Sequence, residues 1–142
     1  MASVSSSVSI NQPVDKVFAY VIGAENHKAW QAGILDATVA PDAPIGVGSV
    51  YTYTSEVMGR RMQTQLQVSA FAPNSTWAVT TVGVPTPVTT VYQFQDAGGA
   101  TNLTISMELT GGYPPAAEAM VKQQMQKSMD EQATRIKQAV GG

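Results

Sequence analysis

The chain has 142 residues, of which 44% are hydrophobic and 13% charged, and it carries a net charge of −2 with one histidine and no cysteine. That length suits one domain with a substantial core, and no apolar run nears the roughly 18 residues of a membrane span. The missing cysteines exclude disulfides and thiolate metal sites, while the lack of a basic cluster beyond Arg60-Arg61 removes the electrostatic footprint of a nucleic-acid binder.

The first residues, through Ser7, show neither the basic start nor the apolar stretch of a secretory signal, so a cytoplasmic protein is expected. Val4, Val8 and Ile10 alternate with Ser3, Ser5, Ser7 and Ser9, the period-2 pattern of a strand with one buried face. Asn11-Gln12-Pro13 then offers a cap and an early helical proline, and Val14, Val17, Phe18, Val21 and Ile22 follow at helical spacing up to Gly23. A second short helix is expected from Ala24 to Gln31, a strand from Ile34 to Ala40, and a loop from Pro41 to Gly48.

From Tyr51 to Thr110 the chain reads as successive hairpins, because each turn must bring residues of one face opposite one another. A turn at Met58-Gly59 sets Tyr53 opposite Thr64 and Tyr51 opposite Leu66, with Ser55 and Met62 on the same face. The turn at Ala72-Pro73-Asn74-Ser75 adds Trp77, Val79 and Thr81 to the face of Val68. After the proline-rich 84–87 connection come Val88, Thr90, Tyr92 and Phe94, and a turn at Gly98-Gly99 places Phe94 opposite Leu103 and Tyr92 opposite Ile105, followed by Met107 and Leu109. The last element is a helix from about Pro114-Pro115 to Val140, whose stripe of Val121, Met125, Met129, Ala133, Ile136 and Val140 faces the sheet.

This order of elements, with Ile10-Asn11-Gln12-Pro13-Val14-Asp15-Lys16-Val17-Phe18 after the first strand, Trp30, Gly46-Val47-Gly48-Ser49-Val50-Tyr51, Gly59-Arg60-Arg61 and Gly98-Gly99-Ala100-Thr101, resembles the START-like or SRPBCC superfamily, in particular its polyketide cyclase/dehydrase and lipid-transport group. The resemblance covers nearly all of 1–142 as one domain. It implies an α+β helix-grip fold, with two short helices after the first strand and a curved antiparallel sheet wrapped around the long C-terminal helix. Members bind lipids, hormones or aromatic polyketides, and some catalyse cyclisation or dehydration.

Groups able to do chemistry are few. One histidine cannot form a zinc cluster or an acid-base pair, so neither metal nor cofactor is expected. His27, beside Lys28 on a short polar helix, reads as an exposed or rim residue rather than a catalytic one. Asp15, Glu25, Glu56 and Glu108 fall on faces expected to be solvated. Glu118 projects onto the buried stripe near the helix start, where the dipole favours a carboxylate, and is the other weak catalytic candidate. Ser128 and Gln132, at the stripe's edge, could reach a ligand or bond the sheet.

The inner face mixes the hydroxyls of Tyr51, Tyr53, Ser55, Thr64, Thr81, Thr90 and Tyr92 with Leu66, Val79, Ile105 and Met107. Parity alone leaves open whether these form a packed core with satisfied hydroxyls or, with Glu118, Val121, Met125 and Met129, line a ligand cavity. The leading expectation is a monomer or homodimer that holds a small hydrophobic molecule, aromatic, polyketide-like or acyl. A polyketide cyclase/aromatase-type enzyme using the same cavity, and a protein-interaction or chaperone-cofactor role, are the alternatives.

Overall fold

Serine-valine alternation places Ala2–Ile10 in strand β1, whose ladder ends at Ile10, three residues before the Pro13 that opens the first helix. In the computed structural model, which describes residues 2–30, 34–40, 45–83, 87–109 and 115–141, helix α1 (Val14–Ile22) follows, then a 3-10 turn (Ala24–Asn26) and the single-turn helix α2 (His27–Trp30). Strands β2 (Ile34–Ala40), β3 (Val50–Val57), β4 (Arg60–Ala72), β5 (Thr76–Val82), β6 (Val88–Asp96) and β7 (Thr101–Leu109) precede helix α3 (Pro115–Val140). Pro13 itself occupies the cap position of α1, where its carbonyl accepts from the Lys16 and Val17 amides at 3.1 Å; no side chain caps this end. The expected second helix is a 3-10 turn joined to one α turn, and Gln31 lies outside the described residues, as does most of the expected 41–48 loop.

The seven strands form one antiparallel sheet in the order β1-β7-β6-β5-β4-β3-β2. Tyr53 pairs with Thr64, Tyr51 with Leu66, Tyr92 with Ile105 and Phe94 with Leu103, the registers that face-matching requires. A bulge between Val68 and Ala70 shifts the β4–β5 register by one residue. Beyond it the opposite parity turns inward, so Phe71 pairs with Trp77 and meets Phe18 edge-on at 5.6 Å. Met62, expected on the buried face, is 53% exposed because the β3–β4 hairpin extends past its cover.

At the hairpin tip Met58 has φ 53° and Gly59 φ 79°, the positive pair of a two-residue turn that suits the strand twist. Met58 is 98% exposed, so its side chain gains little to offset the left-handed backbone. Met58→Asn should therefore stabilise the protein by about 1 kcal/mol, seen as a raised urea midpoint at unchanged m-value.

Helix α3 packs against β1, β7 and α2. Met125, Met129, Ala133, Ile136 and Val140 are buried and Val121 half-buried, so the expected stripe is the packed one. The main core gathers Met129, Ala133, Ile136 and Val140 with the sheet and α1. A separate small cluster of Met125, Val121, Val4, Val88 and Met107 closes the N-terminal part of α3.

Candidate ligand cavity and its buried histidine

His27 and Trp30 stand three apart on α2 and therefore share a face, which is the buried one: both are 0% exposed. This corrects the expectation of an exposed or rim histidine. The polar neighbour Lys28 points to solvent while His27 enters a ring cluster. The imidazole stacks on Tyr51 at 5.2 Å and 14°, and meets Trp30 at 4.9 Å, Tyr53 at 5.4 Å and Trp77 at 5.6 Å.

Its protonation state follows from its partners. Nε2 lies 2.8 Å from the Val21 carbonyl oxygen, which can only accept, so Nε2 carries the proton. Nδ1 must then accept, and the Tyr53 hydroxyl donates to it at 2.6 Å. Desolvation by burial, partly opposed by the Val21 bond, lowers the imidazole pKa to about 4 and keeps it neutral. The Tyr51 hydroxyl donates to the Ile22 carbonyl at 2.5 Å, which ties β3 to the end of α1. Trp30 Nε1 and Trp77 Nε1 are buried with no hydrogen-bond partner among the described residues.

Beside this cluster, between the sheet and α3, lies a cavity of about 210 Å³. Tyr53, Thr64, Leu66, Val79, Thr81, Thr90, Tyr92 and Met107 line it from the strands, with Val88 and Gln132. Tyr53 separates it from His27, which does not reach the wall. Burial, and secondarily the nearby Tyr53, push the Tyr92 phenol well above its ordinary range. It remains a donor, to Gln132 Oε1 at 3.1 Å. Thr81 Oγ1 accepts from the Val88 amide at 2.8 Å, whereas the hydroxyls of Thr64 and Thr90 have no hydrogen-bond partner among the described residues. Such a wall can pack an apolar body and bond a few oxygen or nitrogen atoms, and among the described residues that line it there is no strong acid or base.

The remaining expected residues lie elsewhere. Tyr51, Ile105 and Met129 are in the packed core. Ser55 is one face-row nearer the hairpin tip, beside Met62. Val121 and Met125 belong to the small cluster with Val88 and Met107, so α3 contributes Gln132 rather than its methionines. The side chains of Glu118 and Glu25 lie outside the described residues. A larger concavity of about 570 Å³ follows the solvent side of α3 and, among the described residues, has that helix as its only wall.

Comparison with known proteins agrees with this geometry. A family model described as polyketide cyclase / dehydrase and lipid transport matches residues 1–141. The chain belongs to that family. Its fold is the START-type helix grip. A START superfamily protein from Mycobacterium smegmatis is 16% identical at TM-score 0.78, with 99% of this chain and 97% of that one covered. A protein from Nitrosomonas europaea is 14% identical at TM-score 0.78, covering 96% and 92%. The di-domain ARO/CYC StfQ from the steffimycin biosynthetic pathway is 10% identical at TM-score 0.76; there 96% of this chain covers 49% of that chain. No curated protein matches the sequence. The polyketide cyclase-like fold is a ligand-binding one, and among the described residues no helix is long and apolar enough to cross a membrane.

Proposed function

We propose that this protein binds a small, largely apolar molecule, aromatic or acyl, in the cavity between the sheet and α3. The observation that carries the reading is the cavity of about 210 Å³ itself, in which apolar walls surround a few hydroxyls and one amide. Apolar walls with a few placed polar groups are the usual make-up of small-molecule sites. The family's description, which couples polyketide chemistry with lipid transport, fits such a ligand.

An enzyme of the cyclase or aromatase type would need a side chain that exchanges protons with the bound molecule. His27 is poorly suited, because it stands behind Tyr53, its Nε2 proton is held by a backbone carbonyl, and gaining a second proton is opposed by burial. Among the described residues, the groups at the cavity support binding rather than proton transfer.

Thr64→Trp, which places an indole in the cavity from β4, should weaken 2-naphthol binding at least tenfold by calorimetry while the variant keeps its fold. A folded variant with wild-type affinity would move the site elsewhere.

A further inference from the structure

We propose that the cavity selects uncharged ligands and rejects carboxylates and phosphates of the same shape, an inference that rests on the binding reading above. All eight Lys and Arg residues of the chain are described: Lys137 is half-buried, the other seven are exposed, and none lines the cavity. The one remaining side chain that can become a cation is His27. It is separated from the space by Tyr53, and both its ring nitrogens are already hydrogen-bonded within the protein.

Among the described residues, the polar atoms that face the cavity are neutral. Thr64 on β4 and Thr90 on β6 offer hydroxyls to it. Gln132 accepts from Tyr92 through Oε1, which leaves its amide N–H groups directed to other partners. These groups can bond a ketone, ester, amide or phenol oxygen. A carboxylate in the same place would surrender part of its hydration without meeting a countercharge, a penalty that neutral donors only partly offset. The volume admits one or two rings, because it is only about seven times the roughly 30 Å³ that a water molecule occupies in the liquid.

The test compares two probes of nearly equal shape, 2-acetylnaphthalene and 2-naphthoate, titrated calorimetrically at pH 7.5 into the whole chain, with naphthalene as the parent hydrocarbon. The ketone is expected to bind at least 100-fold more tightly than the carboxylate. Supplying the missing charge should reverse the order: Gln132→Lys, or Thr64→Lys if the first variant does not fold, should prefer 2-naphthoate. Equal or tighter binding of 2-naphthoate by the wild-type protein would overturn the inference and leave the cavity reading standing. Failure of both naphthalene and the ketone to bind would overturn both together.

Discussion

Acidification from pH 7.5 to pH 4 is expected to remove about 3 kcal/mol of folding stability through His27 alone. In the folded protein the imidazole titrates at about 4, against 6.5 when unperturbed. Between those values the unfolded chain holds the extra proton and the folded chain does not, so stability falls as pH falls. The contribution is intact above about pH 6.5 and is fully lost once the folded imidazole is itself protonated. His27→Gln is the informative comparison, because its amide can donate to the Val21 carbonyl and accept from Tyr53 yet does not titrate. Urea unfolding at pH 7.5 and pH 4 should show the wild type losing about 3 kcal/mol more than this variant. An NMR titration that found the folded imidazole protonating near pH 6.5 would contradict the burial argument directly.

Trp30→Ala should cost about 3–5 kcal/mol, a large part of the stability of an ordinary domain. The indole is fully buried, with ring neighbours His27 at 4.9 Å and Tyr92 at 5.9 Å. A helix of four residues cannot hold itself, so α2 exists because its buried face is packed. Losing the indole should release that turn and let water reach His27, raising its pKa back toward 6.5. Trp30→Phe, which keeps a ring and removes an unpartnered N–H, should lose less than half as much. If the alanine variant lost under about 1 kcal/mol in urea unfolding, α2 would have to be anchored by something other than this ring.

Much of the sheet was legible because side-chain parity and turn length constrain each other. Met58-Gly59 and Gly98-Gly99 each leave one register that keeps Tyr53 with Thr64 and Tyr92 with Ile105 on a common face. The rule lapsed where an extra residue enters β4 after Val68, since a bulge resets parity and carries no distinctive residue to announce it. It was also silent about cover: Met62 has the correct parity and still meets solvent. His27 departs from expectation for a different reason. Its chain neighbours are polar, but the neighbour that decides its fate is Trp30, three residues on, and that spacing was visible in the sequence. The stripe pattern points to Val121, Met125 and Met129 as the cavity's helical wall, but it reports which residues are buried, not whether they pack on protein or line a cavity. Gln132, at the stripe's edge, is the residue that reaches the space.

The two borders of the sheet bear on how copies of the chain can associate. Along β1, α3 lies against the strand, and Gln126 Nε2 donates to the Ser5 carbonyl at 2.9 Å, occupying an acceptor that an added strand would use. Along β2, the register shift between Ile34 and Asp36 breaks the ladder, an exposed carboxylate sits beside it, and α2 with the 3-10 turn leans on the strand. Among the described residues neither border presents a straight, vacant row of amides and carbonyls, which opposes strand-by-strand growth into fibres or swapped sheets.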